Sequence, residues 1–244
     1  MGMRLLLVVL GVLCVAFYAN MERSLEADST VVAYYQTNGA HPRAMERAIR
    51  MFKNFYPPEN IHMHNDGGSP KLKSIAHVHG IRNYSSTVVK RSATKEGMYF
   101  STPEAGADYL DRLAKTAEAA PWVLLLEDDV GLHGRIDTDQ LKYDINGMCY
   151  NNYAPGLAKR LKYGCYGACG GMIVNSSRLL SANRTTELVG ELIAIDARGA
   201  GNIASDELLA AVIILNGGTI GPYDGFTDKI YRPGMVTQHY KFLY

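Results

Sequence analysis

The sequence predicts an α/β fold: a mainly parallel, Rossmann-type sheet flanked by helices. Strand-like and helix-like segments alternate between Thr30 and Val130, the pattern of parallel strands joined by right-handed crossovers. Within that stretch Pro121-Trp122-Val123-Leu124-Leu125-Leu126 is a short apolar run bounded by punctuating residues, as expected of a strand buried on both faces. The run ends in three consecutive acids, Glu127, Asp128 and Asp129. In open α/β sheets ligands sit beyond the carboxyl ends of the strands, so the central strand delivers three carboxylates to the expected site.

The elements follow in order. Thr30 to Gln36 is β-rich and runs into a Thr37-Asn38-Gly39 turn, giving the first strand. Pro42 suits a first helical position, and Met45, Ala48, Ile49, Phe52 and Phe55 recur at helical steps before Pro57-Pro58 closes the helix. Asn60 to His64 is a second strand, leading to Asn65-Asp66-Gly67-Gly68-Ser69, whose glycines permit close backbone approach. A brief helix from Pro70 to His79 and a strand near Thr87-Val88-Val89 follow. Ser101 and Glu104 have capping-box spacing, and Tyr109, Leu110, Leu113 and Ala117 form the apolar face of the helix they open.

The second half is less regular. Residues 131–164 read as a long polar and aromatic connection, expected to be a flap or acceptor loop. Tyr166 to Asn175 reads as a glycine-opened strand, followed by helices over Ser176–Leu180 and Thr186–Asp196. A glycine-rich approach then leads to an apolar helix headed by Ser205, Asp206 and Glu207 and closed at Asn216-Gly217-Gly218. Ser205 is the expected cap, and acids in a first turn are also what the helix dipole favours without any catalytic role. The remainder, through Asp228, Arg232 and His239, reads as a polar and basic tail.

The 244 residues are 47% hydrophobic, enough for one large domain with a substantial core. Twenty-five basic against 24 acidic residues carry no polyanion-binding signature, which argues against nucleic acid as a partner. Sixteen tyrosines against six phenylalanines supply amphipathic rings suited to polar pockets. Arg4 precedes an apolar run from Leu5 to Ala19, shorter than the roughly 20 residues of a full membrane span. The expected organisation is a signal anchor or signal peptide over 1–20, a short stem over 21–29 and a catalytic domain over 30–244. With Arg4 on the cytoplasmic side this is a single-pass type II membrane protein of an ER or Golgi-like lumen, or a secreted one if the segment is cleaved. Cys149, Cys165 and Cys169 leave both one disulfide and three thiols open.

Three adjacent acids repel one another, and a bound hard cation such as Mg2+ or Mn2+ relieves that repulsion. A solvated turn after a core strand is the alternative. The order of features, from the Asn65-Asp66-Gly67-Gly68-Ser69 turn through Leu124-Leu125-Leu126-Glu127-Asp128-Asp129-Val130 and Asp206-Glu207 to a late His239, resembles the GT-A class of nucleotide-sugar glycosyltransferases, family 2-like, over essentially Thr30 to His239. Here Glu-Asp-Asp stands for the usual Asp-any-Asp motif, and Asn65 stands where many relatives have a second Asp. The resemblance implies that Asp66 contacts the nucleotide base and that Glu127 and Asp128 face the ribose or donor sugar. It further implies that Asp129 and His239 ligate Mn2+ or Mg2+ and that Asp206 is the catalytic base of an inverting transfer. The donor would be a UDP- or GDP-type sugar, the acceptor a glycan or glycoconjugate. A sugar-nucleotide nucleotidyltransferase and a catalytically silent sugar-binding protein are the competing readings. The first wants a glycine-rich basic loop after the first strand, of which Thr37 to Arg43 is a poor version.

Overall fold

A computed structural model describes residues 30–87, 99–150, 155–163, 166–167, 170–195, 203–228 and 233–239. The N-terminal segment, Val88 and Val89, Cys165 and Cys169, and Arg232 therefore lie outside the described residues. No helix among the described residues is long and apolar enough to cross a membrane.

The first strand, β1 (Val31–Thr37), lies beside β2 (Ile61–Asn65), and β2 beside β3 (Asn83–Ser86), all parallel. Helix α1 (Pro42–Lys53) joins β1 to β2 and buries Ala44, Met45, Ala48, Ile49 and Phe52; of the stripe read from the sequence only Phe55 falls beyond the helix, which ends before Pro57-Pro58. Helix α2 (Leu72–Val78) joins β2 to β3. The third strand ends at Ser86, earlier than expected. After β4 (Tyr99–Phe100) comes α3 (Pro103–Ala117), capped by Thr102, whose hydroxyl accepts from the Ala105 amide; the expected cap, Ser101, is one residue too early.

The acidic strand is β5 (Trp122–Leu126), paired in parallel with β1. Its side chains alternate between two cores: Val123 and Leu125 pack with α3, whereas Leu124 and Leu126 pack with α1. That is why the run carries no polar alternation.

The described residues within 131–164 are not one long loop. They contain most of β6 (Val130–Leu132), β7 (Ile145–Gly147), β8 (Cys149–Tyr150) and α4 (Pro155–Leu161). Short β9 (Tyr166–Gly167) pairs with β8, and β10 (Ile173–Asn175) enters the main sheet antiparallel to both β5 and β7. Helices α5 (Ser176–Ser181) and α6 (Thr186–Ile195) follow, then β11 (Ile203–Ala204), which pairs with β4. Helix α7 (Ser205–Leu215) leads to β12 (Ile220–Pro222), β13 (Phe226–Asp228) and β14 (Thr237–His239).

Among the described residues the central sheet has seven strands, ordered β12-β7-β10-β5-β1-β2-β3, of which β10 is reversed. One core holds α3, α5, α6 and α7 against one face, and the other holds α1 and α2 against the opposite face. The expected tail is thus partly structured: β13, β14 and β6 form a separate three-stranded sheet. Cys149 is disulfide-bonded.

Leu110 is fully buried between α3 and the sheet. Leu110→Ala is expected to lower unfolding free energy by about 2–5 kcal/mol, read as a shift of the urea midpoint at unchanged slope.

Candidate functional site

At the end of β5 the chain turns sharply, with the Val130 amide donating to the Glu127 carbonyl at 3.1 Å. The turn sends neighbouring carboxylates in different directions. Glu127 and Asp129 converge with His239, each offering a ligand atom within 4.8 Å of the others. His239 Nε2 lies 3.2 Å from an Asp129 carboxylate oxygen. The histidine arrives there because β14 runs antiparallel to β6, placing His239 opposite Val130, the residue after the acidic triplet. It is buried at 3% exposure, so it is no surface histidine. Gly170 closes another side: a Cβ there would stand 3.0 Å from a Glu127 carboxylate oxygen and 2.5 Å from Val130 Cγ2.

Two carboxylates and an imidazole make a donor set that fits one divalent ion. The carboxylate oxygens suit hard Mg2+ or Mn2+, and the imidazole nitrogen favours Mn2+ over Mg2+. The sequence-derived pair, Asp129 and His239, is brought together, and Glu127, expected to face the ribose or donor sugar, joins them.

Asp128 points elsewhere. One oxygen accepts from the Tyr35 hydroxyl at 2.6 Å and the other from Thr37 Oγ1 at 3.1 Å. Burial pushes the Asp128 carboxyl above its ordinary range, opposed by these two hydrogen bonds and reinforced by the neighbouring Asp129 charge. Burial and the Asp128 charge push the fully buried Tyr35 well above the usual tyrosine value, so it remains a donor. Thr37 Oγ1 also accepts from the Gly39 amide at 2.9 Å, so Asp128 anchors the turn after β1.

The tip of β1 holds Asp66 as well. Gln36 Nε2 donates to Asp66 Oδ2 at 3.1 Å, and the Asp66 amide donates to the Thr37 carbonyl at 2.9 Å. Asn65 builds the turn behind it: its Oδ1 accepts from the Gly68 amide at 2.7 Å while its amide group donates to Tyr84 Oη at 3.1 Å. Gly68 passes so close to the β1 turn that a Cβ would lie 1.8 Å from the Asn38 carbonyl oxygen.

Asp206 sits in the first turn of α7, with its Oδ1 accepting from the Glu207 amide at 2.9 Å. The cap of α7 is Ala204, without a side-chain hydrogen bond; Ser205 is already the first helical residue. Asp206 is not part of the Glu127–Asp129–His239 group. Glu207, at 1% exposure, is buried in the same turn.

Sequence reasoning missed Tyr35, Gln36, Thr37 and Gly170. The signal for the first three is their position at the carboxyl end of β1, where residues 35 and 37 share one face.

Mn2+ affinity, read from the electron paramagnetic resonance of the free ion, is expected to vanish in Asp129→Ala and to fall by about 10–100-fold in His239→Ala. Asp128→Asn is expected to leave it within about threefold, because Asp128 faces β1. Gly68→Ala, which pushes against backbone, is expected to destabilise the fold by about 1–3 kcal/mol in urea titration.

No protein-family description and no curated protein sequence matches the chain. Solved structures do. The galactosyltransferase LgtC in complex with donor and acceptor sugar analogs is similar at a TM-score of 0.51 and 12% identity over 87% of this chain and 86% of that one. An active-site mutant of LgtC is similar at a TM-score of 0.54 and 11% identity, covering 87% of each chain. A glycosyltransferase involved in glycosylating the major capsid of PBCV-1 superposes more loosely, at 0.44 and 10% identity over 86% of this chain and 92% of that one. At these identities the likeness is one of fold, a GT-A-like sheet.

Proposed function

We propose that the protein is a metal-dependent glycosyltransferase that moves a sugar from a nucleotide diphosphate sugar, of UDP or GDP type, to a hydroxyl of a glycan or glycoconjugate. The observation that carries this reading is the splitting of the acidic triplet at the carboxyl end of β5, with Glu127 and Asp129 meeting His239 while Asp128 turns to β1. The fold shared with LgtC supports it, since that enzyme was solved with donor and acceptor sugar analogs.

Glu127, Asp129 and His239 would hold Mn2+ or Mg2+, which when bound supplies Lewis-acid neutralisation of charge on the diphosphate leaving group. Asp66, oriented by Gln36, accepts a hydrogen bond from the nucleotide base. Asp128, held by Tyr35 and Thr37, sets the wall beside the ribose and donor sugar. In the transfer the acceptor oxygen bonds to the anomeric carbon, the bond from that carbon to the diphosphate oxygen breaks, and the acceptor's proton passes to a carboxylate. Asp206 is the proposed base, and inversion the proposed course.

The nucleotidyltransferase reading fares less well on this geometry. A phosphate-cradling loop needs free backbone N–H groups after β1. Here the Gly39 and Ala40 amides donate to the Thr37 and Asn38 side chains instead.

We also propose that residues 1–20 anchor the domain in an endomembrane with its catalytic part in the lumen. Disulfide-bonded Cys149 accords with such an oxidising space.

Transfer assays with a panel of UDP- and GDP-sugars test the reading. One donor class should be used, with activity lost on chelation and in Asp129→Ala. Asp206→Asn should lower kcat by about 10²–10⁴ with little change in donor KM. The product's anomeric configuration, read by NMR, should be opposite to the donor's; retained configuration with full turnover in Asp206→Asn would remove Asp206 from its role.

A further inference from the structure

A cavity of about 640 Å³ lies on the flank of the sheet, away from the acidic triplet. Strand register places Tyr34, His62, His64, Asn83 and Ser85 on one face of β1, β2 and β3. Over them stands α3, presenting Asp108, Arg112 and Lys115 along one side at helical spacing. The cavity extends to Glu118 and Ala119, where α3 gives way to the start of β5. That is the end of the strand opposite to Glu127. None of Asp66, Glu127, Asp128, Asp129, Asp206 and His239 lines it.

Its size suits a small molecule, and its lining sets polar side chains beside roughly as much apolar surface. Arg112 is already paired with Asp108, one turn earlier on α3. Arg82 and Lys115 are exposed at the cavity, and neither has an ion-pair partner among the described residues. The charge of Lys115 is felt inside: burial, and after it Lys115, holds the His62 imidazole below its ordinary value. Among the described residues Glu118 is the only carboxylate in the lining besides the paired Asp108. The deep wall is polar too, with His64 at 1% exposure and its Nδ1 2.8 Å from Ser85 Oγ. Two exposed cations beside imidazole and hydroxyl groups are suited to a charged head and a hydrogen-bonding body.

We propose that this cavity binds a small anionic ligand, a phosphate- or carboxylate-bearing molecule whose charge is received by Lys115 and Arg82 and whose polar groups meet His62, His64 and Ser85. The site is separate from the proposed transfer reaction and does not depend on it.

Titration of the full chain with inorganic phosphate, glucuronate and neutral glucose, in the presence of chelator and followed by calorimetry and the His62 ring signals, tests the proposal. Saturable binding of phosphate or glucuronate but not glucose is expected, and the preferred anion names the ligand's charged group. Lys115→Met and Arg82→Gln should each weaken binding by about tenfold, while Asp129→Ala should leave it unchanged. Both substituted side chains are exposed, and an unaltered urea midpoint confirms the fold. The proposal is overturned if no anion binds, if glucose binds equally well, if both cation variants bind as the parent does, or if Asp129→Ala abolishes binding.

Discussion

Three adjacent carboxylates at the end of a strand buried on both faces cannot share one low-dielectric space, and the rest of the molecule is arranged around that repulsion. The turn after β5 separates them: Asp128 takes two hydroxyl donors from β1, and Glu127 and Asp129 are set against a buried imidazole. Each solution needs a different neighbour of β5 in place. Parallel pairing with β1 puts Tyr35 and Thr37 within reach of Asp128, and the small sheet of β6, β13 and β14 supplies His239. Removing either neighbour would leave half-buried charge short of a partner, so the acids favour the native pairing of these strands.

The tip of β1 is shared scaffolding. Its alternating side chains reach two places at once, Gln36 toward Asp66 on the β2 side and Tyr35 with Thr37 toward Asp128 on the β5 side. Behind them Asn65 fixes its own turn through Gly68, and Gly68 packs on the Asn38 carbonyl. A substituent at Gly68 would therefore be felt on both sides of β1. Such an arrangement keeps the carboxylates oriented before any ligand arrives, which is what preorganised chemistry requires.

Legibility in the sequence followed element length. Helices α1 and α3 were readable because an apolar period persists through them, and α6, α7 and strand β5 because each is a nearly unbroken apolar run with polar or punctuating residues at its ends. Strands β6, β7, β12, β13 and β14, of three residues each, are too short to show an alternation, so 131–164 read as a loop and the end of the chain as a tail. Of the Glu127–Asp129–His239 group, the acids were legible as a local cluster and His239 only through resemblance, which set Glu127 toward the ribose or donor sugar instead. The Tyr35–Asp128 bond spans 93 positions and exists only once β1 and β5 are paired, so no local pattern announces it. Asp206 was found where expected, at the head of α7, but the serine before it does not cap the helix.

His239 belongs to β14, the last strand among the described residues, yet it completes a group whose other members stand more than a hundred positions earlier. A ribosome releases the central strand with its acids long before it releases the imidazole. During that interval the Glu127–Asp129–His239 group consists of two carboxylates and no imidazole. Assembly of the group is thereby tied to synthesis of β14: a product clipped just before Thr237 would keep the seven described strands of the main sheet and lose the imidazole that meets the two carboxylates.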